Sequence, residues 1–326
     1  MLYSILSLLA LLQLASGLNV AVTGPTGRTG RMVVNKLLSE GHSVTAIMRN
    51  TTKAMEVLPA SEKLACTTLD LATADGAAMR EACAGSDAII WAATGFSDAG
   101  ESLDVRGMQT LLPAAFEATD DGAAAPPKVV LLSSAGVTRP AWDEQKKERL
   151  VGAADIPIIR LNPGGILGKK CEAEQHLRES GLGYCVVRPT GLKFEGWPQG
   201  RPVLSQGDVA VGRTNPLDLA SVLVSVLNEP AARGKTFEMF TLAGYPAPRE
   251  LAPVLEGLVP DAAMPLDEAA VDATYATLQQ CVGCSRPPDS ICYGCLGLPR
   301  LRASAAAMPS RAMPSRAMPS RACLLS

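Results

Sequence analysis

A glycine-rich segment near the amino terminus constrains this chain more than any other feature. The segment Gly24–Gly30 reads GPTGRTG and follows a short apolar run, Leu18–Thr23, which predicts a strand. It opens the region Gly27–Glu40, in which apolar residues recur at helical spacing. A strand, a glycine turn and a helix in this order are typical of a dinucleotide site. The alternative is a strand–helix turn whose glycines are incidental.

Each glycine of this segment has an expected role. We expect Gly24 to permit a tight turn, Gly27 to let the main chain approach a diphosphate, and Gly30 to let the helix pack closely on the sheet. Main-chain N–H groups at the start of the helix would then face the anionic phosphates, where the helix dipole stabilises negative charge.

The rest of the chain alternates strand and helix patterns. Several of the strands are nearly continuous apolar runs, as expected for strands buried on both faces of a parallel sheet. We therefore expect an α/β fold, a doubly wound parallel sheet of the Rossmann type, with a small C-terminal cap on the ligand-binding edge. The predicted later strands are Ser43–Met48, Leu64–Leu69, Asp87–Ala93, Lys128–Ser133, Gly183–Arg188 and Lys235–Leu242, and the predicted later helices are Ala77–Cys83, Val105–Ala118, Lys170–Ser180 and one capped by Asn215.

Both ends of the chain differ from this pattern. Residues 1–17 carry an apolar run followed by Ala15, Ser16 and Gly17, which predicts a secretory signal peptide; an uncleaved anchor or a buried N-terminal helix is the alternative. The Rossmann domain is expected over residues 18–283. Residues 284–326 include three copies of the sequence AMPSR, and we expect this segment to be a disordered tail.

Composition limits the expected partners. The formal net charge is −2 and the domain body carries no basic stretch, so no nucleic acid is expected as a partner. After signal removal we expect no stable membrane span, and the substrate is an unidentified small molecule, with a protein partner also open. The pairs Cys281-x-x-Cys284 and Cys292-x-x-Cys295 lie closer together than zinc-ribbon pairs do, and we expect no metal site.

The end of the second strand indicates which dinucleotide is bound. NAD-preferring sites place an acid near this position, but here the strand ends in Met48-Arg49-Asn50. Arg49 can pair with the 2′-phosphate of NADP(H), and Arg28 lies in the glycine segment nearby. Asp70, after the third strand, is placed either to accept a hydrogen bond from adenine or to serve as a surface turn carboxylate.

The motifs together resemble the atypical short-chain dehydrogenase/reductases. The glycine segment, the strand end IMRN and the block KKCEAEQHLRESGLGYCVVRPTGL (Lys169–Leu192) are similar to an NmrA-like subgroup of plants and algae, which includes the NADP-binding module of a chloroplast protein-import component. Relatives are often plastid proteins, so a plastid reached through the secretory route is the alternative to secretion. The resemblance implies an NADP(H) site formed by Gly24, Thr26, Gly27, Arg28, Thr29, Gly30, Arg49, Asp70, Leu71, Ala93, Thr94, Ser133, Lys170, Pro189, Thr190 and Gly191.

The catalytic residues are harder to assign. Typical short-chain dehydrogenases use a Tyr four residues before a Lys as the proton donor, but here Ile166 precedes Lys170 at that spacing. Ser133 and Lys170 remain as the candidate catalytic residues. The chain is therefore expected to be an NADPH-dependent reductase of a small planar acceptor such as a quinone or a flavin, and the alternative is a non-catalytic NADP(H)-sensing regulator or scaffold.

Overall fold

The sheet that organises this protein has eight strands in the order β3-β2-β1-β4-β5-β6-β10-β8. The computed structural model describes residues 17–118 and 125–282, so the predicted signal segment up to residue 16 and the predicted tail lie outside the described residues. The strands are β1 (Asn19–Thr23), β2 (Ser43–Met48), β3 (Leu64–Thr68), β4 (Ala88–Trp91), β5 (Val129–Leu132), β6 (Tyr184–Pro189), β7 (Gly191–Leu192), β8 (Gly200–Ser205), β9 (Arg213–Thr214) and β10 (Lys235–Ala243).

Helices follow most of the strands. A π-helical segment, Gly107–Leu111, joins α4 and α5 without a break. The helices are α1 (Gly30–Ser39), α2 (Thr51–Val57), α3 (Gly76–Ala82), α4 (Leu103–Arg106), α5 (Leu112–Ala115), α6 (Glu144–Arg149), α7 (Val151–Ala154), α8 (Pro157–Leu161), α9 (Ile166–Glu179), α10 (Pro216–Ser225), α11 (Ala252–Glu256) and α12 (Glu268–Val282).

Every pair of neighbouring strands in the large sheet is parallel except β10 and β8, which are antiparallel. The doubly wound parallel sheet predicted from the sequence is thereby confirmed. Since parallel strands end at the same edge, the segments after β1, β2, β4, β5 and β6 all meet at the carboxyl edge of the sheet.

The sheet is covered on both faces, because the side chains of each strand alternate between them. In β1, Val20 and Val22 join a core with α1 and α10, whereas Ala21 joins a second core with α3, the π-helical segment and α9. A third, smaller core joins Trp142 and Leu150 to Phe240 and α12, and it forms the cap beside the sheet. The protein therefore has three layers, with the sheet between two layers of helices, and the cap lies beside them.

The strand of the large sheet that sequence patterns missed is β8; they also missed the two-residue strands β7 and β9, which form a second, small sheet. The sequence of β8, GRPVLS, contains a glycine, an arginine and a proline, which are uncommon in strand interiors. β8 lies at the edge of the sheet, where Pro202 faces Thr241 of β10 and proline is tolerated. Only the tertiary pairing to β10 makes this segment a strand.

Within the described part of the chain, none of the helices has the length and hydropathy that crossing a bilayer requires.

A buried contact beneath the sheet gives a stability prediction. Gly107 packs directly against the fully buried Trp91 ring, and a Cβ at this position would overlap the indole. We expect Gly107→Ala to lower the free energy of unfolding by about 1–3 kcal/mol, because neither group can move without disturbing the core. Urea unfolding of the full chain measures this change.

The matched control is Gly168→Ala in α9, where an added Cβ meets no atom within 4 Å. This variant should be unchanged or more stable, since alanine favours a helix over glycine by about 1 kcal/mol. Equal effects of the two substitutions would contradict the packing argument.

Candidate functional site

The turn between β1 and α1 brings main chain unusually close to main chain. Gly24 has a φ of 63°, and a Cβ on it would lie 2.9 Å from the main-chain N and Cα of Ala93. A Cβ on Gly30 would overlap the carbonyl oxygen of Gly24, which itself accepts a hydrogen bond of 3.0 Å from the Gly27 N–H. These positions therefore hold only glycine without a shift of the backbone.

The same turn leaves hydrogen-bond donors available for a phosphate. Gly27 is exposed, and within the described residues the main-chain N–H groups of Arg28 and Thr29 donate to no other protein group. Thr29 is the N-cap of α1, a ten-residue helix, yet its side chain makes no capping hydrogen bond. A bare, donor-rich helix start of this kind fits the diphosphate of a dinucleotide.

A buried hydroxyl ties the glycine turn to the next strand. Oγ1 of Thr23 accepts hydrogen bonds from the N–H groups of Ala92 and Ala93, at 3.2 and 3.3 Å. This fixes the end of β4 beside the end of β1, so the predicted cofactor residues Ala93 and Thr94 lie next to the glycine segment.

The predicted adenosine residues lie at the ends of β2 and β3. Arg49 is exposed directly after β2 and makes no ion pair or hydrogen bond within the described residues. Oδ1 of Asp70 accepts a hydrogen bond of 3.0 Å from the Ala72 N–H and so forms its own turn, while Leu71 is buried beside it. One carboxylate oxygen of Asp70 is therefore used structurally, and its predicted contact with adenine rests on the other.

The segment after β6 folds back over the glycine turn. The Arg28 guanidinium lies 4.2 Å from the centroid of the Phe194 ring, a cation–π contact. Further along, the Trp197 carbonyl accepts a hydrogen bond of 2.7 Å from the Asn215 side chain. Phe194 and Trp197 are therefore both engaged in contacts within the protein.

A buried ion pair holds the candidate catalytic lysine. Nζ of Lys170 lies 3.0 Å from Oδ1 of Asp104, and Oδ2 of Asp104 accepts a hydrogen bond of 2.9 Å from the Thr94 hydroxyl. The Lys170 amine also reaches the Leu132 carbonyl at the end of β5, at 3.4 Å. Ile166, one helical turn earlier on α9, brings no hydroxyl to this place.

The other candidate catalytic residue, Ser133, belongs to a buried charge network. Its hydroxyl donates to Oε1 of Glu174 at 2.6 Å, and Arg188 donates to both oxygens of the same carboxylate, at 2.9 and 2.6 Å. Burial alone would raise the pKa of Glu174, but the charges of Arg188 and Arg178 outweigh burial and lower it to about 2. Glu174 therefore stays ionised and holds the Ser133 hydroxyl in one orientation.

The turn after β6 is fixed by backbone and hydroxyl contacts. The Thr190 N–H donates to the Met239 carbonyl at 2.9 Å, and the Thr190 and Thr214 hydroxyls lie 3.0 Å apart. Pro189 and Thr190 are buried whereas Gly191 is exposed, so of these three predicted contacts only Gly191 presents open main chain to solvent.

The buried carboxylate of Asp208 anchors the loop after β5, and the buried Glu238 lies beside it. Asp208 accepts hydrogen bonds from the Gly136 N–H at 2.6 Å and from the N–H and hydroxyl of Thr138 at 2.9 and 2.7 Å. Burial, together with the neighbouring Asp208 charge, raises the pKa of Glu238 to about 7, although Arg188 and Arg139 oppose this shift. At neutral pH this site therefore lies close to the protonation midpoint of Glu238.

The structure brings most of the sequence-predicted site residues to one edge, but it also adds some that sequence reasoning missed. Asp104, Glu174 and Asp208 each make the contacts that fix a predicted residue or its loop. An acid in the segment after β4 and the AEQ motif of α9 were visible in the sequence, but their partners are 66 and 41 residues away. No local spacing in the sequence pairs residues that are so distant.

From the Lys170–Asp104 pair we predict that removing one partner destabilises the protein and that removing both restores much of its stability. Asp104→Leu should lower the free energy of unfolding by about 3–5 kcal/mol, because it leaves a buried lysine without its counter-charge. The double variant Asp104→Leu/Lys170→Met should recover much of this loss, as chemical unfolding of both proteins would reveal.

The comparison pair is Glu144 and Lys147, whose ammonium–carboxylate distance is 2.8 Å at an exposed position. Glu144→Gln should change stability little, since exposed ion pairs contribute little. Additive losses in the Asp104 and Lys170 double variant would argue against a coupled buried pair.

Glu238 predicts a pH dependence of stability. Its pKa rises from 4.5 in the unfolded chain to about 7 in the fold, so its contribution is fully present below pH 4.5 and is lost as pH rises through 7. Glu238→Gln should therefore gain stability relative to the wild type as the buffer is moved from about pH 5 to about pH 8.5. Urea titrations across this range measure the difference, with the exposed Glu144→Gln as control; a difference that stays constant with pH rejects the prediction.

Comparison with known proteins agrees with this geometry. The sequence matches the NAD(P)H-binding family over residues 24–230. An uncharacterized chloroplastic protein of Arabidopsis thaliana is 29% identical over 234 residues, covering 70% of this chain and 78% of that protein.

Solved structures agree in fold. The oxidoreductase ylbE of Lactococcus lactis, 19% identical, superposes with a TM-score of 0.55 and covers 74% of this chain and 96% of its own. A short-chain dehydrogenase/reductase of Veillonella parvula in complex with NADP, 13% identical, gives a TM-score of 0.50 over 68% of this chain and 94% of its own. Since the family match begins at the glycine turn and includes the segments that follow β1 to β6, this chain belongs to the NAD(P)H-binding family, the NmrA-like group of atypical short-chain dehydrogenase/reductases that its motifs resemble.

Proposed function

We propose that this protein binds NADP(H) and uses it to reduce a small planar acceptor. The observation that carries the proposal is the glycine turn, where an exposed, donor-rich helix start adjoins the ends of β1 and β4. A bound nicotinamide cofactor would supply a hydride. The protein would bind and orient it, and the candidates for that work are the glycine segment, Arg49, Lys170 and Ser133.

The preference for the phosphorylated cofactor rests on Arg49. Its guanidinium is exposed at the end of β2 and is paired with no carboxylate within the described residues, so it is available to a 2′-phosphate. Its charge and its two parallel N–H groups suit a phosphate dianion. Arg28, which lies on the Phe194 ring, supports the loop that would receive the diphosphate.

Lys170 and Ser133 would act on the nicotinamide side. The Lys170 amine is directed by Asp104 and the Leu132 carbonyl, and its remaining N–H can bind ribose hydroxyls. The Ser133 hydroxyl is directed toward Glu174, so it offers a lone pair rather than a proton to a ligand. Because position 166 is an isoleucine and not a tyrosine, the proton for the acceptor would come from solvent. This favours acceptors that need no side-chain acid.

A non-catalytic NADP(H)-sensing regulator or scaffold is the second candidate. The lack of a hydroxyl at Ile166 and the engagement of Ser133 with Glu174 both favour it. NADPH consumption with a quinone or a flavin separates the two candidates, since the regulator would bind NADPH without turnover. A protein partner belongs to this second candidate.

We also propose a plastid location. The Arabidopsis thaliana relative described above and a second one, the protein high chlorophyll fluorescence phenotype 173, are both chloroplastic. The signal-like residues 1–17 would bring this chain there through the secretory route, with secretion as the alternative. A fluorescent-protein fusion to the full chain tests this.

The decisive experiment compares NADPH and NADH binding by the full chain and its Arg49→Asp variant. We expect the substitution to weaken NADPH binding by about 1–3 kcal/mol, as for a lost charge-assisted hydrogen bond, and to change NADH binding little. Fluorescence titration of the reduced dinucleotide measures both affinities.

The control is Arg80→Asp, an equal change of charge at an exposed residue on α3, remote from the carboxyl edge. It should affect neither cofactor. If Arg49→Asp weakens NADPH and NADH equally, Arg49 does not select the phosphate.

A further inference from the structure

An apolar surface lies beyond the candidate nicotinamide position, and its first part surrounds Gly136. A Cβ on Gly136 would lie between the side chains of Ile156, Ile158 and Ile159, at 3.6 to 3.7 Å from each. Gly136 has a φ of 95°, which other residues rarely adopt, and Asp208 holds its N–H. The loop that follows Ser133 is thereby fixed beneath these isoleucines.

The second part is the contact of Phe96 with the turn before α9. A Cβ on Gly164 would lie 3.3 Å from the Phe96 ring, so the ring packs flush on the main chain of that turn. Phe96 is 39% exposed, although it follows the predicted cofactor residue Thr94 by only two positions. Part of the Phe96 side chain therefore remains exposed, two residues along the chain from Thr94.

The third part is Ile166, the first residue of α9. Residues four apart on a helix share a face, so Ile166 lies on the side of α9 that carries Lys170. We call Phe96, Ile156, Ile158, Ile159 and Ile166 the apolar wall. All four isoleucines are only half-buried, so the wall leaves apolar surface open to a ligand.

The positively charged side chains of residues 155–172, the part of the chain that contains the four isoleucines, are paired with carboxylates. Nε of Arg160 lies 3.1 Å from a carboxylate oxygen of Asp155, and Nζ of Lys169 lies 2.8 Å from one of Glu172. Lys170 is paired with Asp104. Among residues 155–172, which the structure describes in full, every Lys and Arg therefore has a carboxylate partner, so this part of the chain carries no unpaired positive charge.

We propose that the acceptor is an uncharged, lipophilic quinone that lies against the apolar wall. This inference rests on the proposed function and narrows its substrate class, because a flavin mononucleotide or a tetrapyrrole carboxylate would have to compete with these carboxylates for a cation, whereas an uncharged ring would not. Burying the quinone ring and its alkyl substituents removes apolar surface from water, which is the main attraction that such a surface offers.

The chemistry balances without a side-chain acid. Conversion of a quinone to its hydroquinone takes up two electrons and two protons; a hydride from NADPH carries both electrons and one of the hydrogens, and water supplies the other proton. NADP⁺ and hydroquinone are the products. Ile166 can therefore stand where an aldehyde or ketone reductase would need a hydroxyl.

The test uses the full chain and the variant Ile166→Glu, with decylubiquinone as the probe. Glutamate at the first position of a helix favours the helix, so α9 should form normally. We expect the affinity of the NADP⁺-loaded protein for decylubiquinone, measured by titration calorimetry, to fall at least about tenfold, because a charge is placed against an apolar ligand. NADPH binding, followed by its fluorescence, should be retained.

The matched control is Val151→Glu, which puts the same charge on an apolar residue that is 66% exposed in α7, outside the wall. It should leave both affinities unchanged. Flavin mononucleotide serves as the anionic planar competitor and should bind the wild type at least about tenfold more weakly than decylubiquinone.

The outcomes distinguish the two proposals. If the wild type binds NADPH, any of three results overturns the quinone inference alone. Decylubiquinone does not bind, flavin mononucleotide binds as tightly as decylubiquinone, or the wild type and Ile166→Glu bind decylubiquinone with equal affinity. Absence of NADPH binding to the wild type overturns the proposed function itself.

Discussion

The close approach of the Gly24 carbonyl to Gly30 is the contact on which the rest of the site depends. It lets α1 start immediately beside β1, with its first N–H groups at the carboxyl edge of the sheet. The Thr23 hydroxyl then fixes the end of β4 against the same turn. Any side chain at Gly24 or Gly30 would push these elements apart, and the phosphate-binding geometry would be lost with them.

Charged groups buried under the carboxyl edge set the second constraint. Lys170, Ser133 and the loop at Gly136 are each held by a carboxylate from another element, namely Asp104, Glu174 and Asp208. Ion pairs of this kind contribute little net stability, because desolvation offsets much of their attraction. Their consequence is geometric: the groups around a bound cofactor are oriented before it arrives.

Much of the fold and part of the site could be predicted from the sequence. The end of β2 at Met48 and the capping of α10 by Asn215 follow from local patterns, and the structure has them where the patterns indicate. The sequence predicts that α9 starts at Lys170, but it starts at Ile166, because the loop-like residues 163–165 form a 3₁₀ turn that leads into the helix. The roles of the individual cofactor contacts stay predictions.

What the sequence determined by itself is local: the glycine turn, the alternation of strand and helix, and the missing tyrosine before Lys170. These depend on backbone freedom and on spacing along one element, which a linear pattern records. The tertiary structure alone decided that β8 joins β10 as an edge strand, that Asp104 neutralises Lys170, and that three isoleucines of residues 156–159 surround Gly136. Those arrangements join residues far apart in the chain, and burial and charge pairing select them only once the sheet has brought them together.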